Sequence, residues 1–220
     1  YLCTLFSGFV APYYADHRFP DRDYVPPQTL HVFGPDGFHL RPFVYGLNKD
    51  VDEETGKLKY TRDESVMHPV KFFVKGDEHT FFGYNTTLHL FGLETDREKA
   101  GIFLLGTDAQ GRDMFSRVLY GARVSLTVGV LGVTLSVLIG SILGVTSGYF
   151  GGIIDAIMQR TIEILRSFPR IPLWMALSAA IPSDIDQIKT FILITIILSL
   201  LAWTGLARNI RGEVLALKEE

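Results

Sequence analysis

One cysteine in 220 residues, Cys3, leaves no partner for a disulfide and no thiolate pair for a metal. Basic residues are not in excess: 21 Lys and Arg against 24 Asp and Glu give a formal net charge of -3. That balance argues against a nucleic-acid binder, which needs a Lys/Arg-rich face. Histidine is missing after Ala100, since His17, His31, His39, His68, His79 and His89 all precede it. The later half therefore has no imidazole and no thiol for a catalytic dyad or a metal centre. No G-x-x-x-x-G-K-[ST] string occurs, so there is no P-loop nucleotide site. The most consequential absence is local. Between Val124 and Ile154 there is no Asp, Glu, Lys or Arg.

A hydrocarbon core about 30 Å thick needs only about 20 apolar helical residues, so this run is long enough to cross a bilayer with some tilt. Thr190 to Ala207 is a second uncharged run of roughly one membrane thickness. The chain reads as an α-helical polytopic membrane protein with spans at 122–150, 153–181 and 189–207. The lipid bilayer is its first partner.

The chain begins at Tyr1 rather than Met and ends at LALKEE inside a helical pattern, which reads as a fragment. Residues 1–11 are too short to span alone and lack a basic n-region. They are expected to be the outer end of a truncated transmembrane helix stopped at Pro12, with a buried strand or core helix as the alternative.

Residues 12–105 are turn-rich and soluble in character. Aromatic and β-branched residues mark candidate strands at 41–47, 57–61, 70–75 and 87–93. Asn48 to Gly56 has the composition of a hairpin connection, with Gly56 free to take positive φ. Its acidic cluster fails as a calcium loop: from Asp50, the sixth residue is Thr55 rather than Gly and the twelfth is Thr61 rather than Glu. Asn85-Thr86-Thr87 matches a three-residue sequon and carries no weight.

Residues 106–121 read as a turn, with Thr107 or Asp108 as cap, followed by a short amphipathic helix presenting Phe115, Val118 and Leu119. That helix is suited to the headgroup layer, or equally to packing on the preceding β-rich region.

Within the first long run, Gly132, Ser136, Gly140, Gly144 and Gly148 recur every fourth residue. Small residues at this spacing groove one helix face and let a second backbone approach in lipid. After it, Asp155, Gln159, Glu163, Arg166 and Arg170 step along one stripe, with Glu163 and Arg166 spaced to pair. Charge at membrane depth is expensive and faces protein or water. Either 152–170 is an interfacial helix, or it is the inner end of a spanning helix whose polar stripe faces the bundle. The second is favoured, because 171–181 alone is too short to cross. Arg160, Arg166, Arg170, Arg208 and Arg211 flank the apolar runs, while 182–189 is acidic on balance. The positive-inside rule then puts Gly151–Gly152 and Arg208 onward in the cytoplasm, and residues 12–120 outside.

Several separated strings carry a resemblance: LLGTDAQGRDMFSRVLYGARVSLTVG (104–129), GYFGG-x-x-D (148–155) and LAWTGLARNIRGEVLALKEE (201–220). Together they resemble the permease subunits of bacterial peptide and nickel ABC importers, nearest the C-type subunit of the oligopeptide and dipeptide systems. Gly106, Thr107, Asp108, Gly111, Arg112 and Asp113 carry the motif. RPFVYGL and KFFVKGD resemble, more weakly, the extended outer domain of some members.

The resemblance implies a partial type-1 ABC transmembrane domain with an inserted β-rich extracytoplasmic domain, in the bacterial inner membrane. It implies a second permease subunit, two cytoplasmic ATPase subunits that carry ATP hydrolysis, and an extracytoplasmic solute-binding protein. It implies no catalytic residue, cofactor or metal in this chain. The ATPase-docking helix of the family would begin just past Glu220. Peptide is the expected substrate, with nickel, opines and short glycans used by related permeases. Two rivals are a membrane-anchored sensor, which would need neither the small-residue stripe nor a kinked third span, and an intramembrane enzyme, which would need a nucleophile, metal or dyad at membrane depth.

Overall fold

The two uncharged runs form two long helices in this computed structural model, which describes residues 1–51, 56, 58–81, 84–93, 100–182 and 184–219. Helix α3 covers Met114–Phe150 and helix α6 covers Gln187–Glu219. Both are long and apolar enough to cross a membrane, and little of the apolar stretch of each is buried in the chain alone. At 37 residues α3 is about 55 Å long, well beyond the roughly 30 Å of hydrocarbon.

The chain divides into two units, 1–123 and 124–220. In the first, two single-turn helices, α1 (Leu2–Leu5) and α2 (Ser7–Val10), precede four strands: β1 (His31–Gly34), β2 (Gly37–Val51), β3 (Leu58–Phe81) and β4 (Tyr84–Leu93). They form one antiparallel sheet in the order β1-β2-β3-β4. The expected strands at 57–61 and 70–75 are halves of one long β3, and β1 was not expected. A strand interrupted by irregularities reads in sequence as separate pieces. One irregularity lies against β2 at Tyr45/Gly46 and one against β4 between Lys75 and His79.

The β2–β3 ladder closes at Val51 opposite Leu58, and Gly56 has φ 64°, as a hairpin there requires. The rest of that connection, 52–55 and 57, lies outside the described residues. The core beneath the sheet gathers Tyr13, Phe19, Val25, Val44, Val70, Ile102 and Phe103. Phe19 meets Tyr13 and Phe103 edge-on, with centroids 4.7 and 4.9 Å apart, a favoured aromatic geometry. The first turns of α3 belong to this unit: Phe115 packs beside Phe91, and Tyr120 meets Tyr14 edge-on. No separate amphipathic helix occupies 106–121, because nothing breaks the helical ladder between Met114 and Phe150.

In the second unit, α4 (Gly152–Ser167) and α5 (Arg170–Ala179) lie between the long helices. The expected single span at 153–181 is thus two helices. Pro169 offers no N–H to the ladder and forces Phe168 out of helical geometry, to ψ 131°. Helix α6 outruns the expected 189–207, because an amphipathic extension follows the apolar stretch without a breaker.

Helices α3 and α6 run parallel. The Ser136 hydroxyl donates to the Ser199 carbonyl at 3.3 Å, 63 positions along. The same offset holds further down, where Gly140 faces Trp203 and Gly148 faces Arg211. Two parallel neighbours in one chain require the connection to return the full distance. Helices α4 and α5 cover about 24 and 15 Å, which is enough to make that return. Ile162 of α4 is buried with Trp203 and Ala207 of α6.

Candidate functional site

The motif from Gly106 to Asp113 is a knot of hydrogen bonds in the first unit. Gly106 (φ 77°) and Gly111 (φ 69°) take left-handed conformations that L side chains rarely adopt. A Cβ on Gly106 would strike the Val25 carbonyl, and one on Gly111 the Phe19 carbonyl. That closeness lets Phe19 N–H donate to the Gly111 carbonyl and Thr107 N–H to the Val25 carbonyl, both at 3.0 Å. The Thr107 hydroxyl accepts from Val25 N–H at 2.8 Å and donates to the Arg22 carbonyl. Thr107 is therefore a tie between segments rather than a helix cap.

Asp108 accepts from the backbone N–H groups of Gln110 (2.8 Å) and Arg112 (3.0 Å), from Arg112 Nε (2.8 Å), and from Arg117. Burial alone would push its carboxyl up, but the Arg112 backbone and guanidinium bonds and the Gln110 bond together hold it down to about 2. Asp108 caps the turn, and Asp113 caps α3: its Oδ2 accepts from Ser116 N–H at 2.8 Å and from the Ser116 hydroxyl at 2.6 Å. Burial pushes the Asp113 carboxyl up, against those bonds. The bonds of Thr107, Asp108 and Asp113 Oδ2 all go to neighbouring chain, so the motif positions the start of α3.

The second unit holds the other cluster. The α3 stripe lies against α6 along its whole length. A Cβ on Gly132 would stand 3.0 Å from Thr195, on Gly140 3.1 Å from the Trp203 carbonyl, on Gly144 2.6 Å from the Ala207 carbonyl, and on Gly148 2.8 Å from Val214. At the Gly148 end the chain turns through Gly151 and Gly152, both at positive φ, into α4. Asp155 in the first turn of α4 then meets Arg211 of α6 in a two-pronged pair, Nε to Oδ1 and Nη2 to Oδ2, each 2.5 Å. Ser147 of α3 donates its hydroxyl to Asp155 Oδ1 at 2.5 Å, and Gln159 Nε2 reaches the Ser147 hydroxyl at 3.3 Å. A carboxylate in a first helical turn is also favoured by the helix dipole. Three helices are thus tied at one end by one carboxylate.

The five-residue polar stripe divides. Asp155 and Gln159 belong to this tie. Glu163 pairs with Arg160 at 3.2 Å instead of with Arg166, and the pair is exposed. Its i,i+3 spacing competes with the i,i+3 spacing to Arg166, and only one rotamer of Glu163 is used. Arg166 is exposed, and Arg170 opens α5. Arg211 and Ser147 were not singled out in the sequence, where Arg211 served only as a charge for orientation. An Asp at the edge of a long apolar run needs a cation, and the small-residue register between α3 and α6 is what would have found it.

Between α3, α5 and α6 lies a groove of about 640 Å³, walled by apolar side chains and dotted with the hydroxyls of Ser125, Ser136, Thr195 and Ser199. Among the described residues, no group of three or more His, Cys, Asp or Glu is arranged to hold a metal ion.

Residues 121–220 match the family described as binding-protein-dependent transport system inner membrane component. The chain is 43% identical over 120 residues to the oligopeptide transport system permease protein OppC of Haemophilus influenzae, covering 54% of this chain and 37% of that protein. It is 42% identical over 113 residues to the dipeptide transport system permease protein DppC of Bacillus subtilis, covering 51% of this chain and 33% of the relative. The Bacillus subtilis OppC is 36% identical over 139 residues, covering 63% of this chain and 43% of that protein. The chain thus spans about a third to two fifths of the length of these relatives. Residues 121–220 thus carry a similarity to the inner membrane components of binding-protein-dependent transport systems.

Proposed function

We propose that this chain is part of the permease subunit of an ATP-driven peptide importer and supplies half of a translocation pathway. The observation that carries the reading is the match of residues 121–220 to the transport family, together with 43% and 42% identity to oligopeptide and dipeptide permeases. The parallel packing of α3 and α6 supports three crossings, with α4 and α5 as the returning one. The hydroxyl-dotted apolar groove gives the pathway wall a surface that a peptide backbone can hydrogen-bond to without a fixed charge to trap it.

In this reading a second permease completes the pathway, two cytoplasmic ATPases drive it, and a solute-binding protein delivers substrate from outside. The β-sheet unit is extracytoplasmic, and the Asp155–Arg211 end of the bundle is cytoplasmic. There the tie holds the returning helix against α3 and α6 while the pathway changes its open side. The test is ATP-dependent uptake of a labelled tripeptide into proteoliposomes carrying the protein with its co-purified subunits. Uptake that needs ATP, a binding protein and peptide supports the reading. Assembly with the ATPases but transport only of nickel would move the substrate to another class. No association with any ATPase would overturn it.

A further inference from the structure

Strand β4 places His89 in the first unit with no solvent exposure. Both of its ring nitrogens face backbone carbonyl oxygens: Nδ1 lies 2.6 Å from the Ala11 carbonyl, and Nε2 lies 3.0 Å from the Asp77 carbonyl. A carbonyl oxygen can only accept, and a neutral imidazole has a single N–H. In the neutral ring one nitrogen lone pair would point at a carbonyl lone pair at hydrogen-bond distance, too close for a water between them. Only the imidazolium, with two N–H donors, satisfies both ends.

We propose that His89 is held as a buried imidazolium that clasps the N-terminal segment to the β-sheet, so that the seating of that segment depends on protons. One prong reaches Ala11, directly after α2. The other reaches Asp77, which the irregularity between Lys75 and His79 swings off the β3–β4 ladder. Helix α2 brings no charged group to the ring, only Ser7, Gly8, Phe9 and Val10.

The remaining titratable neighbours come from three elements. From β3 come Asp77, His79 and, at the exposed edge, Lys75 and Glu78. The stretch after α2 brings Tyr14 and His17, with Asp77 Oδ2 accepting from Tyr14 N–H at 2.8 Å and lying 3.0 Å from His17 Nδ1. Helix α3 brings Arg123, whose charge acts on His79, and Tyr120, on which Arg123 and Asp77 act. The Asp77 carboxylate is the anion of the group.

The adjacent His79 ring lies with its centroid 4.8 Å from that of His89. Two buried imidazolium cations at that distance would repel. His79 is the neutral member: its Nε2 is buried with no hydrogen-bond partner among the described residues, as an unprotonated nitrogen can be. Burial pushes the His79 imidazole down, its bond to the Asp77 carbonyl opposes this, and the charge of His89 pushes it further down. Gly8 packs on that ring so closely that a Cβ would stand 2.5 Å from His79 Cδ2. Loss of the His89 proton removes one of the two prongs. The clasp is closed while both ring nitrogens carry protons and opens when one proton is lost.

The test uses the full chain in nanodiscs with ¹⁵N-labelled histidine. At pH 6, side-chain NMR is expected to show two protonated ring nitrogens for His89 and one for His79. Hydrogen exchange, corrected for intrinsic rates, is expected to show protection of residues 7–11 falling about tenfold or more between pH 6 and pH 8.5. The β2–β3 ladder should stay unchanged. In His89→Gln, protection of 7–11 should be low and insensitive to pH. His79→Asn, which leaves both prongs in place, should keep the pH dependence. A single N–H on His89 at pH 6, equal protection of 7–11 at both pH values in the wild type, or loss of the pH dependence in His79→Asn would each overturn the proposal.

Discussion

Asp155 and Arg211, 56 residues apart, meet through both carboxylate oxygens and two guanidinium nitrogens at 2.5 Å. With side chains 18% and 28% exposed, they are neither a surface pair nor a fully buried one. Ser147 adds a third helix to the same carboxylate. Bidentate geometry of this kind fixes orientation as well as distance, so the pair sets how α4 emerges from the Gly151–Gly152 turn.

Asp155→Asn is expected to leave Arg211 without its anion and to cost about 1.5–3 kcal/mol, the range for a charge-assisted hydrogen bond. Glu163→Gln breaks only the exposed bond to Arg160 and should cost under about 1 kcal/mol. Thermal unfolding in nanodiscs distinguishes them. Asp155→Arg with Arg211→Asp should recover part of the loss, since the pair alone is reversed while the Ser147 bond is not restored. Equal effects of the Asp155 and Glu163 changes would mean that the tie carries no more than a surface pair.

The Gly144 position is expected to be the least tolerant of the small-residue stripe. A Cβ there would stand 2.6 Å from the Ala207 carbonyl, with the helix backbone unable to retreat as a side chain would. Gly144→Ala should cost roughly 1–3 kcal/mol by overpacking, and Gly144→Leu should disrupt assembly. Val145→Leu, on an exposed face, should change little. Size-exclusion profiles at matched expression give the readout, and a normal profile for Gly144→Leu would remove the stripe as a packing face.

Asp108 predicts an acid limit for the first unit. A carboxyl held down to about 2 in the folded chain, against about 3.9 unfolded, contributes stability that is complete above pH 4. That contribution is lost as pH falls from about 4 to about 2. Asp108→Asn should therefore be less stable than wild type at pH 6, with the gap closing toward pH 2. Chemical denaturation at four pH values checks this, and a constant gap across the window would contradict it.

Gly111→Ala combines a left-handed φ of 69° with a collision against the Phe19 carbonyl. It should destabilise the first unit by about 1–2 kcal/mol from backbone strain alone. Gly121→Ala, with open space around its Cβ and ordinary helical φ, should be neutral or slightly stabilising. Denaturant midpoints of the two variants make the comparison, and equal midpoints would show that the motif turn can relax.

Orientation is checked by single cysteines in a Cys3→Ser background. Asp50→Cys should react with a membrane-impermeant maleimide in intact cells. Leu217→Cys, at an exposed position near the other end of α6, should react only after permeabilisation. Protection at position 50 would reverse the topology.

Much of this protein is decided along the chain itself. The absence of charge from Val124 to Ile154 commits that run to a long apolar helix, because every backbone group is satisfied locally and no side chain asks for water. Pro169 ends α4 by covalent geometry, and the four-residue recurrence from Gly132 to Gly148 marks the groove on α3 before any partner is known. These are properties of period, composition and backbone stereochemistry.

Pairings are another matter. Glu163 had Arg160 and Arg166 at the same sequence separation, and only the rotamers realised in the fold chose Arg160. Arg211 reaches Asp155 because α3 and α6 pack parallel with a constant offset, which brings the Gly148 end beside Arg211. The continuity of β3 through its two irregularities, and the two carbonyls that meet His89, likewise come from strands and segments far apart in the chain. Local interactions select the elements, since their geometry repeats every two or 3.6 residues. Charge partners and buried hydrogen bonds are selected by which element faces which, and that is settled only when the long-range contacts close.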